Sequence, residues 1–247
     1  MIELIDKLNL KDNELISFVG AGGKTTLIFV LAQALKDFGK KVLVTTTTKI
    51  LLPDENQYDT IIFDSSNNIE VFKKNYLKTV TCLGNSFSPE HNKIKGVDDK
   101  YIDEIFKAGI FDYILVEADG AKRKSIKASA DHEPVIPSET SIVFGIIGLD
   151  SIDKTICDEN VHRPEIFCSV TNSHLGGTIN EDIIVNLILS DKGIFKKAPQ
   201  SGRKIVILNK ADDDLQREKA AAIIGRVRRR STAIECIAAS AKLKAIF

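Results

Sequence analysis

The residues Gly20-Ala21-Gly22-Gly23-Lys24-Thr25-Thr26 carry the strongest chemical signal in the sequence. A glycine turn between a strand and a helix aims backbone N–H groups at one concavity on the helix N-terminus, where the helix dipole also favours negative charge. Such a concavity suits phosphate oxygens. In this pattern Lys24 would reach the outer phosphates of a nucleoside triphosphate, and the Thr25 hydroxyl would ligate Mg²⁺. The spacing G-x-x-x-x-G-K-[ST] requires glycine at position 18, which is Phe18 here, so the match is to a shorter form, G-x-x-G-K-T-T. The alternative is a glycine-rich turn with a chance Gly-Lys-Thr, and the flanking strand and helix argue against it.

A nucleoside triphosphatase also needs carboxylates at a neighbouring strand end to hold the metal's waters and orient the nucleophile. Tyr113-Ile-Leu-Val-Glu-Ala-Asp-Gly120 offers Glu117 and Asp119. Read blandly, it is a strand with an Asp-Gly turn. A third signal is Asn209-Lys210-Ala211-Asp212 after an apolar run. In guanine-binding proteins this spacing sets an Asp carboxylate against the base's N1–H and amine, lays Lys over the ring and lets Asn brace the loop. Adenine's acceptor N1 would meet that carboxylate badly. Ser240-Ala-Lys242 after a further strand supports the same reading, whereas capping of the helix that starts near Asp213 is the alternative. The run Thr45–Thr48 either offers hydroxyls to a γ-phosphate or simply extends a strand.

Other candidates are weaker. His132-Glu133-Pro134 lacks the second histidine of H-E-x-x-H, because position 136 is Ile136, so a zincin site is excluded. His162-Arg163-Pro164-Glu165 reads as a turn into a helix with Pro164 at its first position. On residue type alone both histidines are loop hydrogen-bonding groups. Arg226, Arg228, Arg229 and Arg230 close a helix, where cations complement the dipole.

The elements that must position these residues alternate. Leu4, Ile5 and Leu8 suggest a leading helix. Apolar strands are expected at Leu15–Val19, Lys41–Thr46, Thr60–Phe63, Val80–Leu83, Tyr113–Glu117, Ile142–Ile147 and Lys204–Leu208. Helical spacing marks Lys24–Phe38, Ile69–Tyr76, Asp98–Ala108, Glu181–Leu189 and Leu215–Arg229. Strand–helix alternation predicts parallel strands joined by right-handed crossovers, with helices on both faces of the sheet. The expected fold is a three-layer, doubly wound, mostly parallel α/β sheet of the P-loop NTPase kind. It would form one domain over 1–247, with an irregular region at about 118–140 on the carboxyl edge.

Composition narrows the partners. The 247 residues are 43% hydrophobic and 28% charged, with 34 basic and 34 acidic side chains, so no global field draws in nucleic acid or an anionic membrane. Four cysteines without a C-x-x-C pair suit a reducing cytoplasm, and no apolar run is long enough to span a bilayer.

Taken together, Gly20–Thr26, Val44–Lys49 (VTTTTK), Val116–Gly120 (VEADG), Lys127–Pro137 (KASADHEPVIP) and Val161–Glu165 (VHRPE) resemble the YqeC family, over almost the whole chain. That family is described as suggested accessory factors for selenium-dependent molybdenum hydroxylases. The resemblance implies a role in molybdoenzyme maturation, with the hydroxylase or its cofactor as partner. It also raises His132, Glu133, His162 and Arg163 to candidate functional residues. The phosphate turn is also similar to those of Mur-type ligases and metallochaperone GTPases, and the latter often act as nucleotide-gated dimers, which suggests a homodimer.

The expected function is binding of Mg²⁺ with GTP or ATP, and hydrolysis, with Lys24, Glu117 and Asp119 as the catalytic set. Lys122, Arg123, His132, Glu133, His162 and Arg163 would receive a second substrate or partner. Two alternatives remain: a P-loop kinase or ligase acting on a small molecule, and a nucleotide-gated binding module with negligible turnover.

Overall fold

The computed structural model of the protein describes residues 7–72 and 78–247. Its strands, in chain order, are β1 (Glu14–Gly20), β2 (Val42–Thr46), β3 (Lys49–Leu51), β4 (Thr60–Phe63), β5 (Val80–Gly84), β6 (Ser86–Ser88) and β7 (Lys93–Lys95). They continue with β8 (Tyr113–Glu117), β9 (Ile126–Lys127), β10 (Ile142–Gly148), β11 (Val161–His162), β12 (Arg203–Asn209), β13 (Ile234–Ser240) and β14 (Ala245–Ile246). The α-helices among the described residues are α1 (Lys24–Asp37), α2 (Asp99–Lys107), α3 (Pro164–Thr171), α4 (Glu181–Leu189) and α5 (Asp214–Arg230).

Nine strands form the main sheet in the order β14-β13-β12-β10-β1-β8-β2-β5-β4. Every neighbouring pair is parallel except β13 with β14. A parallel sheet is covered on both faces, and the central strands are accordingly apolar runs buried at every position in β1, β2, β8 and β10. Side-chain alternation divides that burial. Ile16 and Phe18 of β1 pack with Leu27, Ile28, Leu31 and Leu35 of α1 on one face. On the other, Leu15, Leu43 and Ile114 meet Tyr101, Ile102 and Ile105 of α2, while Val143, Ile147, Val206 and Leu208 meet α3, α4 and α5. The result is a three-layer α/β fold of the P-loop NTPase-like kind.

Register assembles the site. Gly20 pairs with Ile146, Phe18 and Thr46 both pair with Glu117, and Gly148 pairs with Asn209. The glycine turn, the Glu117 strand end and the Asn209 strand end therefore share the carboxyl edge, where open α/β sheets bind ligands.

Some expectations change. Ile69–Phe72 is a short 3₁₀ turn, and the remainder of the expected Ile69–Tyr76 helix lies outside the described residues, as do Leu4 and Ile5 of the expected leading helix. Two small sheets, parallel β9–β11 and antiparallel β3–β7–β6, add to the main one, and β9 falls within the stretch expected to be irregular.

Candidate phosphate and cation site

The turn after β1 is built by backbone freedom that only glycine supplies cheaply. Gly22 and Gly23 sit at φ +94° and +113°. A Cβ on Gly22 would lie 2.3 Å from the Gly148 nitrogen, and one on Gly23 would lie 2.5 Å from Asn209 Nδ2. The ends of β10 and β12 thus press against the turn and fix its shape. Helix α1 then starts without a side-chain cap and without an acidic residue in its first turn. Its first N–H groups are left for an external acceptor.

Lys24 folds back over the turn. Its Nζ donates to the Gly20 carbonyl at 2.6 Å and lies 3.1 Å from Asp119 Oδ1 and 3.6 Å from Glu117 Oε1. Burial works against the ammonium charge, but the Asp119 and Glu117 carboxylates outweigh it and hold the Lys24 pKa above the ordinary lysine value. Burial pushes the Glu117 carboxyl up, against the pull of Lys24 and of the Thr25 hydroxyl, which donates to Glu117 Oε2 at 2.7 Å. Asp119 is fully buried. Its Oδ2 accepts from the Gly20 N–H at 3.1 Å and faces Lys127 Nζ at 3.0 Å. Asp119 Oδ1 meets the Lys24 ammonium but makes no hydrogen bond of ordinary geometry.

Lys127 joins this cluster to a second one. It is buried, donates to the Gly120 carbonyl at 2.8 Å and pairs with Glu133 Oε2 at 2.9 Å. Arg163 Nη1 reaches the same Glu133 oxygen at 2.6 Å. Burial alone would raise the Glu133 pKa, yet Arg163 and Lys127 pull it down to about 2. His162 is not a loop residue: β11 buries it opposite Lys127 of β9. Burial, with Arg163 and Lys127 nearby, depresses its pKa to about 4, so it is neutral near pH 7. His132 stays exposed, 4.0 Å from Glu133.

At the other end, Asn209 Nδ2 donates to the Gly22 carbonyl at 2.7 Å and its Oδ1 accepts from the Ala241 N–H at 3.1 Å, tying three loops together. Lys210 Nζ donates to Ser125 Oγ and Asp150 Oδ2, each at 2.9 Å. Asp212 Oδ1 accepts from the Ser240 hydroxyl at 2.5 Å. The threonine run is largely committed to backbone: Thr45, Thr46 and Thr47 hydroxyls donate to the carbonyls of Leu83, Glu117 and Val135.

A cavity of about 1100 Å³ opens over the turn. Of the residues expected from sequence, Gly22 to Thr26, Glu117, Lys122, Arg123, Glu133, His162, Arg163 and Lys210 line it. Gly20, Ala21 and Asp119 stand behind it, and His132, Asn209 and Asp212 lie outside its lining. Four lining cations, Lys122, Arg123, Arg163 and Lys210, have left-handed backbone at φ +46°, +61°, +65° and +67°. Strained backbone of this kind collects at ligand sites. Sequence reasoning missed Lys127, the hub of the charge network, and the Ser125–Asp150 pair that holds Lys210. Nothing in their spacing marks them. No group of three or more His, Cys, Asp or Glu among the described residues is placed to hold a metal ion, and no described helix is long and apolar enough to cross a membrane.

A family model described as YqeC protein matches residues 16–165. The curated protein YqeC of Escherichia coli (strain K12) is 31% identical over 207 residues, which are 84% of this chain and 80% of that protein.

Proposed function

The chain belongs to the YqeC family, and from that premise and the geometry of the turn we propose that it binds and hydrolyses a Mg²⁺-bound nucleoside triphosphate, with GTP preferred over ATP. The observation that carries this reading is the uncapped start of α1 behind left-handed glycines, with Lys24 folded over the turn between two carboxylates.

The donors present fit Mg²⁺. The Thr25 hydroxyl and the Glu117 carboxylate are hard oxygen ligands 2.7 Å apart, and Asp119 Oδ1 is a buried oxygen without a hydrogen bond. A small hard cation commonly takes one or two carboxylates and completes its shell with phosphate and water oxygens. When bound, the ion supplies charge neutralisation between the outer phosphates. The chain's own groups do the rest. Backbone N–H groups of Gly23 to Thr25 donate to phosphate oxygens, while that of Gly22 holds the Lys124 carbonyl. Lys24 exchanges its carboxylate partners for phosphate oxygens and offsets their developing charge. Lys127 stays on Asp119, so that buried carboxylate keeps a cation when Lys24 turns away. Glu117, at the end of β8, orients the attacking water.

The nucleobase reading rests on the Asn209 bridge between the phosphate turn and the Ala241 loop. Beside it Asp212 holds a carboxylate at which guanine's N1–H and amine could replace the Ser240 hydroxyl as donors. The family resemblance supports a role in maturation of a molybdenum hydroxylase, and the likeness of the turn to those of metallochaperone GTPases supports action as a homodimer. A kinase or ligase is the second reading, favoured by the extension of the cavity past the turn to Lys122 and Arg123.

Equilibrium titration with Mg²⁺ and non-hydrolysable GTP and ATP analogues tests the base preference. Asp212→Asn should weaken the GTP analogue about tenfold, the loss of roughly 1.4 kcal/mol, and leave the ATP analogue unchanged. Equal binding of both analogues, indifferent to Asp212→Asn, would return Asn209–Asp212 to a helix-capping role.

A further inference from the structure

The cavity has a second wall whose charges the nucleotide reading leaves unused. It is lined by Lys49 to Leu51 of β3, Lys93 of β7 and the Gly120–Lys124 loop. β3 and β7 pair antiparallel, with Lys49 directly across from Lys95 and Leu51 across from Lys93. Strand alternation therefore puts all three lysines on one face. Lys49 and Lys93 line the cavity, and exposed Lys95 flanks them. Like charges directly opposite each other destabilise a strand pair. Among the described residues none of these three lysines has an ion-pair or hydrogen-bond partner for its ammonium.

The Gly120–Lys124 loop repeats the pattern. Lys122 and Arg123 are exposed, have no side-chain partner among the described residues, and are consecutive left-handed residues. Such backbone costs roughly 1–2 kcal/mol per residue for a side chain and almost nothing for glycine. The loop is held at a fixed offset from the phosphate turn, because the Gly22 N–H donates to the Lys124 carbonyl at 3.1 Å. The β3–β7 pair is fixed as well: the Val97 N–H, just past β7, donates to the Thr46 carbonyl at the end of β2 at 2.9 Å.

Sheet order gives the wall its direction. β2 lies on one side of β1 and β8, and β12 with Asn209–Asp212 lies on the other. A nucleotide with its base near Asp212 and its phosphates on the turn would point its terminal phosphate toward the lysines. We propose that this wall is a second ligand site, for a small molecule that carries phosphate groups, is distinct from the nucleotide and faces its terminal phosphate. The orientation, though not the charge argument, rests on the nucleotide reading. Four cations that line one cavity and have no partner among the described residues match a compact group of several negative charges. A cavity of about 1100 Å³ also exceeds the common range for one small ligand, about 300–1,000 Å³.

The test titrates inorganic pyrophosphate, by calorimetry in excess Mg²⁺, into the full chain already saturated with a non-hydrolysable GTP analogue. One further equivalent should bind. Its affinity should fall at least about tenfold in Lys49→Ala/Lys93→Ala and in Lys122→Ala/Arg123→Ala, while the first double variant keeps its affinity for the analogue. Pyrophosphate that only displaces the analogue overturns the site, as does a second equivalent indifferent to all four substitutions. If the analogue never binds, the titration is repeated on Lys24→Ala. Pyrophosphate binding that depends on Lys49 and Lys93 there would keep this site and sink the nucleotide reading alone, whereas no binding would sink both.

Discussion

The two walls of the cavity handle charge in opposite ways. Around the phosphate turn every buried ion has a partner: Lys24 sits between Asp119 and Glu117, Lys127 touches Asp119, Glu133 and the Gly120 carbonyl, and Arg163 takes Glu133. Along β3, β7 and the Lys122–Arg123 pair the cations are exposed and have no partner among the described residues. Burying an unpaired charge is costly, so the inner wall must be complete before any ligand arrives. An exposed lysine in water carries no such penalty and can wait. The inner wall is thus a pre-set frame, and the outer wall gains its worth only with an anion in place.

That contrast can be broken from the inside first. Lys127→Met should cost about 3 kcal/mol in chemical unfolding, because it leaves buried Asp119 with Lys24 alone and Glu133 with Arg163 alone. A loss under about 1 kcal/mol would mean the network relaxes into water and does not frame the site.

Acid should attack the same wall. The His162 pKa lies at about 4, below its ordinary 6.5, so the unfolded chain binds a proton that the folded one refuses. The stability it supports is present above about pH 6.5 and is lost as pH falls toward 4, on the order of 3 kcal/mol. Glu133, depressed to about 2 from 4.5, adds a further loss between those values. His162→Gln should flatten the upper part of the acid limb in a melting-temperature profile and leave the lower part standing.

Asn209→Ala removes one donor to Gly22 and one acceptor from Ala241. Each of these hydrogen bonds is worth about 1 kcal/mol, so unfolding should show a loss of roughly 2 kcal/mol. The smallest effect belongs to the outer wall and has the opposite sign. Lys49→Ala/Lys93→Ala should raise the stability of the ligand-free protein by about 0.3 kcal/mol by relieving like-charge crowding on one strand face. A drop in stability would show that those lysines have partners after all.

The sequence made the frame readable wherever the signal was local. Thr60–Phe63, Tyr113–Glu117 and Glu181–Leu189 carry their own periodicity and form at the expected bounds. Pro164 opens α3 as its fixed φ suggests. Lys127 was illegible for the complementary reason. It lies in a stretch without period, and its burial depends on β9 pairing with β11, whose residues come 35 positions later. The lysine face was hidden likewise, since three-residue strands such as β3 and β7 show too few turns of alternation to be read before their pairing is known. Local chemistry singled out the glycine turn. Only tertiary contacts could show which of its charges are already matched.

The proposed function stands or falls with whether Lys24 and its glycine turn hold a Mg²⁺-bound nucleoside triphosphate. The direct measurement is equilibrium titration of the full chain with a non-hydrolysable GTP analogue and Mg²⁺, run beside Lys24→Ala, with circular dichroism confirming that both are folded. Saturable binding by the unsubstituted chain, lost in Lys24→Ala, is the expected result. No binding of GTP or ATP analogues to the folded chain, or binding indifferent to Lys24→Ala, would contradict it.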